Sequence, residues 1–346
     1  MLEAVTSPGM RWRLADDDGG QGPLFEQEVE RHVGRGEFRG MEFLHVQARR
    51  VINEVPKASR MPFRWTINAY RGCSHACVFC FARPTHEYLG MNAGEDFDRR
   101  IVVKVNAVER VRAELAPRRW AGDHIAMGTN TDPYQRCEGK YRLTRGIVGE
   151  LSRAANPFSI LTKSTLILRD LDLLVEAARR TQVRANFSIG TLDEEVWRMS
   201  EPGTPHPLRR IEAVARLNEA GVPCGVLVAP VLPGISDAPE QLDAVVKACV
   251  DAGARSIAPL LLHLRAGVRE HYLEWLVAAR PDLVERYRRL YPGAYAPTKT
   301  QNALSRHVRE LVARYGGRTS VPGKSRSVST VKPGPAAESD QLRLGL

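Results

Sequence analysis

Residues 65–80 read WTINAYRGCSHACVFC, a short aromatic and β-branched run that opens into three cysteines spaced C-x3-C-x2-C. A strand feeding a polar loop is the first instance of a plan that recurs along the chain. Further apolar, strand-like runs fall at 124–127, 158–161, 183–189, 224–229 and 256–263. Amphipathic helical stretches separate them at 105–116, 143–155, 168–180, 208–220 and 238–253. Gly221 and Gly253 stand where two of those helices must stop before the next strand. Six β-then-α units in succession predict an α/β fold with a parallel sheet and right-handed crossovers. Such a sheet is either doubly wound or a barrel; the even spacing favours a partial, TIM-like (β/α)6 parallel barrel. In both, the working site lies at the carboxyl ends of the strands. The unusual polar segments fall there: the cysteine loop, GTNTDPYQ (128–135), TKST (162–165), GTLDEE (190–195) and PVLPGISD (230–237).

The chain has 346 residues, of which 43% are hydrophobic, enough for one large domain. Lys and Arg number 50 against 40 Asp and Glu, a net charge of +10. That balance suits a polyanionic partner such as nucleic acid, and equally a chain from a generally basic proteome. The first twenty residues carry no apolar core of a signal peptide, and no apolar run approaches a membrane span, so a cytoplasmic location is expected. Residues 1–40 are expected to be a disordered extension and 41–64 a segment packed on the barrel. The barrel itself is expected over 65–268, C-terminal helices over 269–317, and a disordered tail over 318–346.

Six cysteines in a chain of this length, three of them clustered, do not form a disulfide framework, and in a reducing compartment such a cluster binds metal. A structural zinc site takes four ligands, so His75 or His86 would have to complete Cys73, Cys77 and Cys80, and no second ligand knuckle follows. The other reading is an iron–sulfur cube, whose corners one closely spaced run of thiolates can hold. Three thiolates then leave one iron open to a substrate or cofactor.

The cysteine run directly after the first strand, with Phe79 before the last cysteine, resembles the signature of radical S-adenosylmethionine (radical SAM) enzymes. YRGC (70–73), CFARPTHEYLG (80–90), GTNTDPYQ, EPGTPHPLRR (201–210) and PVLPGISD occur in the order and spacing of one branch. That branch is the spore photoproduct lyase-like or "DNA repair photolyase" group, and the resemblance spans roughly residues 60–280. It implies a partial barrel of radical SAM type and a [4Fe-4S] cluster on Cys73, Cys77 and Cys80. It also implies S-adenosylmethionine on the open iron, cleaved to a 5′-deoxyadenosyl radical, and a reductant such as flavodoxin or ferredoxin.

The resemblance also places residues around the cofactor. Phe79 is expected against the adenine, and Gly128, Thr129, Asn130 and Asp132 where the family contacts the methionine amine, although its usual Gly-Gly-Glu is absent. Asn186 and Ser188 share one strand face and are expected at the ribose and carboxylate; Ser164, at the end of the third strand, is a further candidate. Arg210 is assigned to the same pocket, with pairing to a nearby carboxylate as its other reading. Cys137, in the Arg-flanked stretch YQRCEG, is the candidate catalytic thiol, expected at the mouth beside a cation that favours its thiolate. The branch points to nucleic acid as substrate, with Arg60, Arg64, Arg71 and Arg83 as candidate phosphate contacts. A peptide or small metabolite is the alternative substrate, and a noncatalytic zinc protein that binds nucleic acid is the alternative class. The final QLRLGL offers Gln341, Leu342, Leu344 and Leu346 as a short peptide of the kind that docks on the bacterial sliding clamp.

Overall fold

The computed structural model describes residues 29–319 except 57, 58, 60, 118 and 119. Eleven strands run in chain order: β1 (Glu30–Val33), β2 (Glu42–Val46), β3 (Ile52–Glu54), β4 (Trp65–Ile67), β5 (Tyr70–Arg71), β6 (Arg100–Lys104), β7 (Ile125–Met127), β8 (Phe158–Thr162), β9 (Val183–Ser188), β10 (Cys224–Val231) and β11 (Ile257–Leu261). The main helices are α1 (Ala107–Leu115), α2 (Leu143–Arg153), α3 (Leu171–Arg180), α4 (Pro207–Glu219), α5 (Pro239–Asp251), α6 (Val268–Ala279), α7 (Val284–Leu290) and α8 (Thr298–Arg314).

Strands β4, β7, β8, β9, β10 and β11 lie side by side in sequence order, every pair parallel, with β3 antiparallel on the outside of β4. No pairing joins β11 to β3, so the sheet is an open α/β arrangement of six parallel strands and not a closed barrel. The register separates two faces. Ile125, Phe158, Ile160, Phe187, Val226 and Ile257 fall on one and are buried. Thr66, Ala126, Ser159, Leu161, Arg184, Asn186, Ser188, Gly225 and Leu227 fall on the other, which is mixed in character, small at Ala126, Ser159, Ser188 and Gly225, and in places half-buried or exposed. A parallel sheet packed on both faces would be apolar on both; the small side chains of the second face leave room above it.

A second sheet, ordered β1-β2-β6-β5, was not foreseen from the sequence. It holds the start of the cysteine loop, since β5 is the two residues before Gly72. It also takes Tyr70 out of the first parallel strand, which ends at Ile67. Residues 29–40, part of the stretch expected to be a disordered extension, are among the described residues and include a strand. Glu30–Val33 forms an antiparallel ladder with β2, because backbone pairing there needs no apolar face of its own. Residues 1–28 and 320–346, including the tail candidates Gln341, Leu342, Leu344 and Leu346, lie outside the described residues. On the far edge α8 packs against β11 and α5, and Thr319 bridges to Ile257. No helix among the described residues is long and apolar enough to cross a membrane.

Candidate active site

Gly72 turns the chain out of β5 at φ +80°, and a Cβ there would stand 2.8 Å from the Phe97 carbonyl oxygen and 2.9 Å from His86 Cε1. Only glycine fits both the left-handed conformation and the space. The loop then winds through consecutive turns, Ala76 N–H to Cys73 O at 3.2 Å, Cys80 N–H to Cys77 O at 3.2 Å and Arg83 N–H to Cys80 O at 3.3 Å. Arg83, wholly buried, clamps the turn from behind. Its guanidinium donates to Cys77 O at 2.9 and 3.1 Å, to Ala93 O and Gly94 O, and to the Asp98 carboxylate.

Cys73 and Cys77 are buried and Cys80 is half-buried, all three as free thiols. Burial pushes each thiol up, and for Cys73 the charges of Asp132, Cys80 and Cys77 add to it. Three neighbouring thiolates in so dry a setting require a cationic centre among them. The sulfur atoms do not all lie within 4.8 Å of one another. A tetrahedral zinc would draw them to about 3.8 Å apart, from Zn–S bonds near 2.3 Å. His75 and His86 are also engaged elsewhere, His75 with Asp132 at 3.4 Å and His86 Nε2 with the Arg100 carbonyl at 2.9 Å. The donor set therefore fits a multi-metal cluster held at three corners better than a single zinc ion.

The GTNTDPYQ loop is bolted to the cysteine loop. The Gly72 carbonyl accepts from Thr131 Oγ1 (2.6 Å) and Gln135 Nε2 (3.0 Å), and Ser74 N–H donates to Gln135 Oε1 at 3.0 Å. Asp132 is buried, and its carboxylate accepts from Thr162 Oγ1 (2.6 Å), Lys163 N–H (2.6 Å) and Tyr134 N–H (2.9 Å). Burial works against its ionisation, but the His75 charge and these bonds outweigh it and hold the group below the ordinary carboxylate range. Asp132, expected at the cofactor, fastens three loops through these bonds. Gly128, at φ +88°, places its Cα so near β8 that a Cβ would stand 2.0 Å from the Leu161 carbonyl oxygen. Thr129 exchanges hydrogen bonds with Asn68, and Ser164 caps the turn after β8 by accepting from Leu166 N–H at 3.2 Å.

Lys163, unremarked in the sequence, is the cation of the site. Its ammonium stands 5.4 Å from the centre of the Phe79 ring and donates to Glu201 Oε1 (2.6 Å) and Ser188 Oγ (2.9 Å). Arg210 closes on the other oxygen of Glu201 at 2.6 Å and also donates to the carbonyls of Pro205 and Ser188 and to Thr204 Oγ1. Burial opposes the charge on Glu201, yet Arg210 and Lys163 bring its pKa down to about 2. Arg210 thus forms a buried carboxylate pair, the second of its two readings from the sequence. Ser188 is likewise satisfied internally, donating to Ala229 O at 2.7 Å. Asn130 and the half-buried Asn186 keep side chains without a hydrogen bond to any described residue. Lys163, Glu201 and Gln135 carried no signal beyond their presence in the polar loops, and His75 only that of a possible zinc ligand.

Cys137 is not an exposed thiol at the mouth. It is wholly buried, and burial together with Glu138 pushes its thiol well up, the reverse of the expected thiolate. The arginine before it turns outward, Arg136 donating to Glu37 O at 3.0 Å. Of the candidate phosphate contacts, Arg83 is buried and committed, Arg64 pairs with Glu54 at 2.9 Å, and Arg60 lies outside the described residues.

The radical SAM superfamily profile matches residues 67–246. An uncharacterized protein of Mycobacterium tuberculosis (strain H37Rv) is 45% identical over 300 residues, covering 86% of this chain and 88% of its own. An uncharacterized protein of Methanocaldococcus jannaschii is 25% identical over 275 residues, covering 79% and 92%. Among solved structures, spore photoproduct lyase complexed with dinucleoside spore photoproduct superposes with a TM-score of 0.60 at 17% identity, over 80% of this chain and 81% of that one, a likeness of fold.

Proposed function

The chain belongs to the radical SAM superfamily and is an enzyme of that class, and we propose that Cys73, Cys77 and Cys80 hold a [4Fe-4S] cluster serving hydrogen abstraction from a nucleic-acid substrate. When bound, the cluster and S-adenosylmethionine supply reductive cleavage to a 5′-deoxyadenosyl radical. The observation that carries the reading is the trio of free cysteines, two buried and one half-buried, whose sulfur atoms do not all lie within 4.8 Å of one another, wound on a loop locked by Arg83 and Gln135. Lys163 sets a positive charge beside Cys77, Cys80 and the Phe79 ring, where the anionic end of a cofactor is stabilised. Asn130 and Asn186 offer unused amides, and the small side chains of the sheet face leave space for the adenosyl group and the substrate. For nucleic acid the support is the net charge of +10 and the dinucleoside held by the solved neighbour of the same fold.

The test is anaerobic. Protein reconstituted with iron and sulfide is given dithionite and S-adenosylmethionine, and 5′-deoxyadenosine is measured beside Cys77→Ala. Product from the wild type alone is expected; a reconstituted wild type without cluster absorption or product overturns the reading. Binding to duplex DNA whose affinity falls steeply with salt supports the substrate class. Binding indifferent to salt, or none, moves the substrate to a peptide or metabolite.

A further inference from the structure

Away from the cysteine loop, three metal-ligating side chains converge on the β1–β2 ladder. Glu30 and His32 are two residues apart on β1 and so share a face, and Glu30 is the register partner of His45 on β2. One ligand atom from each, a Glu30 carboxylate oxygen and an imidazole nitrogen of His32 and of His45, lies within 4.8 Å of the other two. His32 Nε2 stands 2.9 Å from Glu30 Oε1, and His45 Nδ1 stands 4.0 Å from Glu30 Oε2. The imidazole rings are 4.0 Å apart, tilted by 35°.

Two details separate this cluster from a chance gathering of polar groups on a strand. His32 Nε2 is shielded from solvent and makes no hydrogen bond of acceptable angle despite its closeness to Glu30, so a ring nitrogen of the cluster is left without a hydrogen-bond partner. The far nitrogen of His45, Nε2, meets the Tyr141 hydroxyl at 2.7 Å. A histidine that binds metal through one ring nitrogen almost always donates from the other to an oxygen, which fixes its tautomer and aim.

We propose that Glu30, His32 and His45 form a binding site for a divalent zinc-class cation, oriented by Tyr141 and separate from the cysteine loop. Two imidazoles and a carboxylate are a borderline-soft donor set, suited to zinc over magnesium or calcium. Around a tetrahedral ion with bonds near 2.0–2.1 Å, ligand atoms stand about 3.4 Å apart. The observed 2.9 and 4.0 Å, one to each Glu30 oxygen, lie on either side of that value, and with the three ligand atoms within 4.8 Å of one another side-chain shifts of up to about 1.5 Å close the site. The Glu30 side chain is 72% exposed, so the cluster is open to an ion from solvent. Such an ion clips β1, an edge strand paired only with β2, to the sheet that carries the start of the cysteine loop.

The experiment is equilibrium dialysis of the anaerobically reconstituted protein against zinc, with zinc, iron and sulfide measured in the same sample. One zinc per chain is expected beyond the iron-bearing loop. In His32→Ala and in His45→Ala the affinity should fall at least about 100-fold, and in Tyr141→Phe about 10-fold, with iron and sulfide unchanged. Cys73→Ala/Cys77→Ala/Cys80→Ala, which has no cysteine loop to compete, should keep its one zinc, so the outcome does not depend on whether a cluster forms. Absence of bound zinc at about a hundred micromolar, retention by both histidine variants, or loss in the triple variant overturns the site.

Discussion

Glu201→Gln tests the electrostatic frame behind Phe79 with little change of shape. Glutamine keeps the shape and one acceptor oxygen, removes the charge and turns an NH2 donor toward one of the two cations, so its cost is at least that of losing the charge. Glu201 lies between Lys163 and Arg210 at 2.6 Å from each, with side chains 5%, 13% and 1% exposed respectively. Its pKa of about 2, against an ordinary 4.5, makes ionisation worth about 3 kcal/mol to the folded state. That lies within the roughly 3–5 kcal/mol expected when one member of a buried ion network is removed. With a urea m-value of about 3 kcal/mol/M for a domain of this size, the midpoint should fall by about 1 M. The sign follows from the depressed pKa: the contribution is fully present above pH 4.5 and disappears as pH falls toward 2. The gap between wild type and variant should therefore be equal at pH 5 and pH 7. Trp197, whose indole donates to Thr204 Oγ1 at 2.8 Å beside Arg210, gives a local fluorescence readout of the unfolding. A midpoint shift below about 0.3 M, or a gap that changes between pH 5 and pH 7, refutes the reasoning.

Lys104 is wholly buried and its pKa is brought down to about 7, first by burial and then by Arg71. Its protonation penalises folding up to pH 7, and the penalty fades as pH rises toward 10.5; Lys104→Met should out-stabilise the wild type at pH 7 and lose about 2 kcal/mol of that advantage by pH 9 in urea unfolding. Gly128→Ala drives a Cβ to 2.0 Å from the Leu161 carbonyl oxygen at a left-handed φ and should cost at least about 3 kcal/mol; soluble protein with a wild-type urea midpoint would contradict the close approach of β7 to β8. Removing residues 341–346 should abolish retention of the protein on immobilised bacterial sliding clamp, whereas equal retention of both forms discards the tail peptide as a docking motif.

Much of the frame was legible because it is built from local pattern. Every parallel strand from β7 onward begins within a residue of its expected start, each being an apolar run bounded by a helix stop and a polar loop. The cysteine loop was legible because its chemistry is written in one short segment. The second sheet was not, although RIVVK in β6 carries a β-branched signal. Its pairing joins residues 42–46 to 100–104 and a two-residue strand at 70–71, and no periodicity announces partners so far apart. The same distance hid the side-chain partnerships. Asp132 reads as a turn former before Pro133, yet its carboxylate is occupied by His75 and Thr162. Lys163 reads as one more loop lysine until Glu201, 38 residues on, closes on it.

These partnerships explain why so many polar residues expected at the cofactor are turned inward. A loop that must hold three thiolates apart cannot rely on its own turns, whose N–H to O bonds of 3.2–3.3 Å each contribute about 1 kcal/mol. It needs outside support, and the neighbouring loops supply it. Arg83 takes the Cys77 carbonyl, Gln135 and Thr131 take the Gly72 carbonyl, and Ser200 O accepts from Val78 N–H at 3.1 Å. The segment that contributes Ser200 also contributes Glu201, so the ion network that steadies Lys163 beside Phe79 is continuous with the backbone that steadies Val78. Tight support at Asp132, Ser188 and Arg210 leaves the free polar groups to Asn130 and Asn186, while the Lys163 ammonium is held by Glu201 and Ser188. A site fixed by its second layer in this way should tolerate Asn186→Ala with little change in stability, while Gln135→Ala, which orphans Ser74 N–H and weakens the hold on Gly72, should loosen the cysteine loop and lower the iron retained per chain.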